Sequence, residues 1–351
     1  MTAERPRRGG RIGVSGFGDT PHGWATKRDV AVALGLGAGY LAGFAVPRRL
    51  DPWLARRLRG LFGLIEGDRP ARAAAKLRAV LGPEADRVDS AQAVEDYYVA
   101  RAELIVARVR GMHRRAWNPT FSFEGREHVR AALDERRGAI LWRMNLGDTL
   151  MLQHAAWESG WPLVQLSAAG HGAKRSWVGH RLAAPLYARA ENAYLAERVV
   201  IPGDWTSHGY LPRLVRALER NQVVAIRSEV LARQNVPVPL FESRLALPTG
   251  APGLAHRTGA ALIPVYTLRE GSWRYRAVFG PPIEVDRSIS RRAYTERAIE
   301  EFGVRLREAI LRAPGDYQGW WPLRLPESAD PETDRLDTLE AAEVAKVEAD
   351  A

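Results

Sequence analysis

At 351 residues, 46% of them hydrophobic, the chain can bury a sizeable core and is not compositionally disordered. It has no cysteine, which excludes disulfides, a thiolate nucleophile and Cys-ligated metal. The formal charge of +10 is uneven: residues 327–351 carry nine Asp/Glu against two Arg/Lys, a net of −7, leaving +17 on residues 1–326 and pointing to an anionic partner such as a phospholipid surface, an acidic carrier protein or nucleic acid.

An Arg-rich composition typical of a high-GC genome gives the same sum without any partner, and charge argues about partners rather than fold. Eleven Trp favour positions with one apolar and one wet side, as at a bilayer interface.

In chain order, residues 1–29 are a flexible basic lead-in without the apolar core of a secretory signal. Val30 to Val46 is an uncharged run of 17 residues between Lys27-Arg28 and Arg48-Arg49. Spanning a bilayer takes roughly 20 apolar residues, so this run reads either as membrane-inserted or interfacial, or as a buried core helix. Leu54, Leu58, Leu61, Phe62 and Ile65 follow at helical spacing with Arg56, Arg57 and Arg59 off the stripe, which fits an interfacial helix or a core-facing surface helix equally. A second long helix is predicted over Ser90 to Met112, opened by Asp89-Ser90, with Val94, Tyr98, Ala102, Ile105 and Val109 on one face. Residues 30–115 thus form a helical, membrane-associated region.

From residue 116 to 326 short apolar runs alternate with amphipathic segments. The strands are predicted at Ala139–Trp142, Leu163–Leu166, Val199–Ile201, Val223–Ile226, Ala261–Tyr266 and Tyr275–Phe279, with helices such as Leu150–Glu158 and Gly209–Glu219 between them. That alternation implies an α/β fold with a mainly parallel sheet flanked by helices. Residues 327–351 are an acidic Ala/Glu/Asp tail.

The stretch Gly138-Ala-Ile-Leu-Trp-Arg-Met-Asn-Leu-Gly-Asp148 carries the strongest local signal. It resembles the catalytic signature of the bacterial lipid A late (lauroyl/myristoyl) acyltransferases, part of the lysophospholipid acyltransferase superfamily, where an apolar strand ends in a His followed five residues later by a carboxylate. Here the His position holds Asn145 and the carboxylate position Leu150, while Gly147 keeps the Gly two places after the His. Further segments match in order. Asn221–Glu229 resembles the strand that ends in an Asp-Gln pair, here Ser228-Glu229. Val236–Phe241 resembles an aromatic turn, Pro248–Tyr266 matches best, and Pro314–Trp321 resembles the closing Trp-rich segment. The resemblance spans about residues 30–326 and implies a glycerol-phosphate acyltransferase-like fold.

Acyl transfer to a hydroxyl needs a base, a carboxylate to orient it, and donors for the oxyanion. The amide of Asn145 is no base, yet it can donate to an acyl carbonyl oxygen. Asp148, at the start of the next helix, reads as an N-cap or as a catalytic carboxylate. Arg143, inside an apolar strand, needs a carboxylate or phosphate partner. His171 sits in a Gly-rich basic loop with Lys174, Arg175 and Arg181, and reads as a replacement base beside anion-binding groups or as an ordinary loop residue. Glu229 reads as orienting a base or substrate hydroxyl or as a structural ion pair. Thr249 and Gly250 place backbone N–H groups at a helix start, a natural anion site. His154 with Glu158, and His256, read as structural.

No phosphate-loop, dinucleotide, serine-elbow or zincin signature is present, no metal ligand set is visible, and no cofactor is expected. The resemblance implies an acyltransferase at the cytoplasmic face of a bacterial inner membrane. It would take an acyl group from an acyl-carrier or coenzyme A thioester to a hydroxyl or amine of a lipid or amphipathic acceptor. The alternative is a degenerate relative that binds acyl chains or lipid as a scaffold or partner subunit. Nucleic acid is suggested by charge alone, without an aromatic or helix-turn-helix signature.

Overall fold

A strand apolar on both faces belongs inside a parallel sheet, covered by helices on either side. Ala139–Arg143 (β2) is such a strand, buried at every position. The computed structural model describes residues 47–66, 69–112, 119–168, 188, 191–201, 209–230, 232 and 234–320. The basic lead-in, the apolar run Val30 to Val46, the loop bearing His171, Lys174, Arg175 and Arg181, and the acidic tail lie outside the described residues.

Around β2 the sheet has seven strands: β1 (Thr120–Glu124), β3 (Leu163–Ala168), β4 (Leu195–Ile201), β5 (Val223–Arg227), β8 (Ala261–Gly271) and β9 (Arg274–Phe279) complete it. Their order is β1-β9-β8-β2-β5-β3-β4. From β8 to β4 all neighbours are parallel, whereas β9 turns back antiparallel to β8, and β1 pairs parallel with β9. Separate from the sheet, β6 (Asn235–Leu240) and β7 (Ser243–Pro248) form an antiparallel hairpin. The sheet is therefore mainly parallel and the class α/β, as the alternating pattern implies.

The helices are α1 (Asp51–Glu66), α2 (Arg69–Leu81), α3 (Ser90–Met112), α4 (Arg126–Asp134), α5 (Thr149–Glu158), α6 (Leu211–Glu219), α7 (Gly250–Thr258) and α8 (Arg291–Arg312). Alternation along β2 sends Ile140 and Trp142 to one core, where Trp142 stacks on Phe302 of α8 at 3.9 Å. It sends Ala139 and Leu141 to the other, against Leu152 and Ala155 of α5. The predicted start of α3 holds: the Asp89 carboxylate accepts the N–H groups of Ala91 and Gln92 at 3.0 Å each.

Two expectations change. The segment Val236–Phe241 is not a turn alone but strand β6, with Phe241 entering the following turn at φ 56°. Leu54, part of the stripe that also fits an interfacial helix, lies partly buried with Ala55 against Ala102 and Val106 of α3, so at that position α1 faces protein. Among the described residues no helix is long and apolar enough to cross a membrane.

Candidate functional site

In open α/β sheets ligands gather beyond the carboxyl ends of the strands. Three segments meet there: the turn after β2, the residues after β5, and the closing segment after α8. Met144 extends the pairing of β2 by donating its N–H to the Val265 carbonyl at 2.9 Å, and Ser228 extends β5 by donating to the Arg143 carbonyl at 2.9 Å. The β2 chain then turns at Gly147, φ +65°, where a Cβ would run into the Thr267 carbonyl and hydroxyl, so only glycine fits.

The closing segment binds this turn as a third partner. Gln318 donates its backbone N–H to the Asn145 carbonyl at 2.8 Å and its side-chain Nε2–H to the Gly147 carbonyl at 2.9 Å. Gly147 returns its own N–H to the Asp316 carbonyl at 2.9 Å. Trp320 sits edge-on to Tyr317 at 5.0 Å and donates its indole N–H to Pro314.

Glu229 ties the three segments together. Its Oε1 accepts the backbone N–H of Asn145 at 3.0 Å and its Oε2 accepts the Tyr317 hydroxyl at 2.8 Å. Strand β5 closes at Arg227, so Glu229 lies two residues beyond it rather than ending it. Burial pushes the Glu229 carboxyl above the usual carboxylate range, against the opposing pull of Tyr317, the Asn145 N–H, Arg227 and Arg143. Burial and the facing Glu229 hold the Tyr317 phenol well above its ordinary value, so it stays a donor at neutral pH.

Asn145 is buried, and its Oδ1 accepts from Arg227 Nη2 at 2.9 Å. That bond fixes which end of the amide is the acceptor, and leaves Nδ2 as the donor end. Arg143 is 6% exposed and donates to the Thr149 hydroxyl at the start of α5. Loss of water, then the neighbouring Arg227 charge, lowers its guanidinium to about 10, while Asp148, Glu191 and Glu229 hold it up. It is thus still charged at pH 7, surrounded by carboxylates but with its Nε lacking a hydrogen-bond partner.

Asp148 is the N-cap of α5, its Oδ1 accepting the Leu150 N–H at 2.7 Å. Leu150, at the motif's carboxylate position, is buried among apolar neighbours. Thr249 and Gly250 open α7, with Thr249 bonded to the Gln234 carbonyl; neither is hydrogen-bonded to the group around Glu229. His154 is buried beside Tyr194 and 3.6 Å from Glu158, and His256 faces the Ile289 carbonyl at 3.1 Å. His171, Lys174, Arg175 and Arg181 are outside the described residues. Among the described residues no group of three His, Asp or Glu is placed to hold a metal ion.

The structure therefore brings Asn145, Arg143 and Glu229 together, places Asp148 beside them as a cap, and adds Arg227, Tyr317 and Gln318. The sequence alone singles out none of those three. Arg227 was visible as a charge closing an apolar strand, and Tyr317 as part of the Trp-rich segment, but nothing local ties either to Asn145.

A parallel α/β sheet with polar groups gathered at its strand ends is a fold class shared by many chemistries, and the family narrows it. The sequence matches the bacterial lipid A biosynthesis acyltransferases over residues 29–320, and the chain belongs to that family. No curated protein matches it. Among solved structures it is similar to the 1-acyl-sn-glycerophosphate (LPA) acyltransferase PlsC from Thermotoga maritima, with a TM-score of 0.36 and 12% identity over 74% of this chain and 95% of that one.

Proposed function

We propose that the chain is a membrane-associated acyltransferase whose base is Glu229. It takes a fatty acyl group from the thioester of an acyl carrier protein or coenzyme A to a hydroxyl or amine of a lipid or amphipathic acceptor, at the cytoplasmic face of the bacterial inner membrane. The observation that supports this reading is the placement of a carboxylate with a raised pKa against Asn145, at the motif position of a family acyltransferase strand.

Each Glu229 oxygen accepts one hydrogen bond and keeps a further lone pair for the acceptor's proton. A raised pKa makes the carboxylate a stronger base than a solvated one. The acceptor oxygen or nitrogen bonds to the acyl carbon, and its proton passes to Glu229. As the carbon–sulfur bond breaks, that proton goes on to the departing thiolate. Asn145 Nδ2, aimed by the Arg227 bond, donates to the carbonyl oxygen as it gains negative charge. The basic body suits an acidic carrier protein, and Lys174, Arg175 and Arg181 are assigned to anionic groups of donor or acceptor.

The test is transfer of radiolabelled acyl groups from carrier and coenzyme A thioesters to total membrane lipid. Wild type is expected to transfer label, Asn145→Ala to transfer less, and Asp148→Asn to retain most activity because it keeps a capping oxygen. Loss of transfer in His171→Ala with retention in Glu229→Gln moves the base to the loop and contradicts the Glu229 assignment. A second reading, a lipid-binding relative without transfer, is favoured by the amide in place of the imidazole. It predicts co-purified lipid and no label transfer by wild type.

A further inference from the structure

Like charges set side by side on neighbouring strands repel, and a buried charge without a counter-ion is costly. Arg143 and Arg227 are such a pair: β2 and β5 are parallel neighbours, and these two residues are register partners at their carboxyl ends. Alternation puts both on the sheet face that α5 covers. Ala139 and Leu141 of β2 share a core with Val223 and Ala225 of β5 and with Leu152 and Ala155 of α5, and Arg143 reaches the Thr149 hydroxyl at the start of that helix. Arg143 is buried and Arg227 exposed, so the pair runs from the interior to solvent.

The protein itself neutralises neither charge. Among the described residues Arg227 makes one hydrogen bond, to Asn145 Oδ1, and Arg143 one, to Thr149, with its Nε left without a partner. No carboxylate there is within ion-pair distance of either guanidinium. The acids whose charge reaches Arg143 are engaged elsewhere: Asp148 Oδ1 by the Leu150 N–H, Glu191 by Arg198, and Glu229 by the Asn145 N–H and the Tyr317 hydroxyl. Arg198, the other buried arginine among the described residues, shows the usual solution, with Glu191 at 2.7 Å. Arg269 likewise has Asp96 at 3.6 Å. At Arg143 the counter-ion is what is lacking.

We propose that Arg143 and Arg227 together bind a phosphomonoester group of a substrate. Such a group brings close to two negative charges and three acceptor oxygens, enough to meet Arg143 Nε–H and the unused N–H groups of Arg227 at once. A carboxylate brings one charge and two oxygens. Asn145 stands between Arg227 and Glu229, bonded to both, so the bound phosphate sits beside the proposed base. This deepens the acyltransferase reading, and rests on it only for which substrate carries the phosphate, the acceptor lipid or a coenzyme donor. Binding is measured without any thioester, so a failure of transfer and a failure of phosphate recognition are told apart.

Calorimetric titration of the full chain compares two matched pairs of probes: monodecyl phosphate against decyl maltoside, both below their micellar concentrations, and coenzyme A against 3′-dephospho-coenzyme A. The phosphomonoester member of at least one pair is expected to bind roughly tenfold tighter or better, and the pair that shows it identifies the acceptor or the donor as the source. Decanoate, with the same chain length and a single charge, is expected to bind more weakly than monodecyl phosphate. Arg227→Gln and Arg143→Gln should each lose the preference. Without ligand, Arg227→Gln should melt no lower than wild type, because it removes a like charge from beside Arg143. The wild-type ranking needs no variant, so it stands even where a variant misfolds. Equal binding within both pairs, decanoate binding as tightly as monodecyl phosphate, or a preference kept in folded Arg227→Gln would each overturn the proposal.

Discussion

In the proposed acyl transfer Glu229 is the base, and in the structure it is also a hydrogen-bond acceptor and the tie between three segments, so its two donors bear on how basic it is. Tyr317 and the Asn145 N–H pull its pKa down while burial pushes it up. Removing the phenol's O–H in Tyr317→Phe takes away one opposing donor, so the Glu229 pKa should climb further. The acid limb of the kcat profile should then move to higher pH, with kcat on the alkaline plateau falling less than it does at acidic pH. An unshifted limb in this variant would separate Glu229 from the titration that governs turnover. At this scale the sequence exposes half of the site. Arg143, Asn145 and Glu229 stand at the ends of recognisable apolar runs, and strand ends are where α/β sheets place chemistry. Arg227's bond to Asn145 and Tyr317's to Glu229 were not legible, because sheet order and the return of the closing segment set both, and neither has a local sequence signal.

Among elements, the closing segment from Pro314 to Trp320 decides whether the site is assembled. Gly315 packs on Ala93 and Asp96 of α3 with no room for a side chain, and Asp316 Oδ2 accepts the Arg269 N–H at 2.9 Å. The Arg269 guanidinium also lies 3.6 Å from Asp96 and 3.8 Å from Glu103. Burial, with Asp96 and Glu103 adding to it and Arg269 opposing, raises the Asp316 carboxyl from 3.8 to about 6. A raised acid favours the protonated form in the folded state, so stability falls as pH climbs from about 4 to about 6, by roughly 3 kcal/mol. Asp316→Asn imitates the neutral acid and should remove most of that slope. Melting temperatures of the two chains across this range check it: wild type should lose ground relative to the variant up to about pH 6, and parallel curves would contradict the assignment.

Gly147 is the second weak point of the same element, since the closing segment pairs with its turn. A methyl group there meets both an unfavourable φ and the Thr267 carbonyl, so Gly147→Ala should destabilise by roughly 2–4 kcal/mol in denaturant unfolding. Element prediction from sequence followed burial. The fully apolar runs became β2, β5 and β8, whereas β1, with burial alternating between partial and exposed, gave no comparable run. In β6, whose segment resembles an aromatic turn, Pro237 and Pro239 are tolerated within a strand because the hairpin has only two strands and leaves an edge without ladder partners.

For the whole molecule, the sheet gathers three distant segments at one edge, and α3 covers that edge while holding both the closing segment and α1. Charge acts at the same scale: +17 over residues 1–326 favours an anionic partner. The fold class was legible because alternation of strand and helix is a property of the chain as a whole. Asn145, where the resemblance implies a His, is equally visible in the sequence, but the partners of its side chain and backbone are set by long-range contacts. Those contacts bring the Glu229 carboxylate against Asn145 and Tyr317.

The most direct measurement is single-turnover transfer of a radiolabelled acyl group from acyl-carrier and coenzyme A thioesters to membrane lipid by the full chain, wild type against Glu229→Gln. Transfer by wild type that drops on the order of 100-fold or more in a variant that still folds and still binds lipid is the predicted result. Equal transfer by both chains would remove Glu229 from the chemistry, and lipid binding without transfer by wild type would make this family member a binding protein.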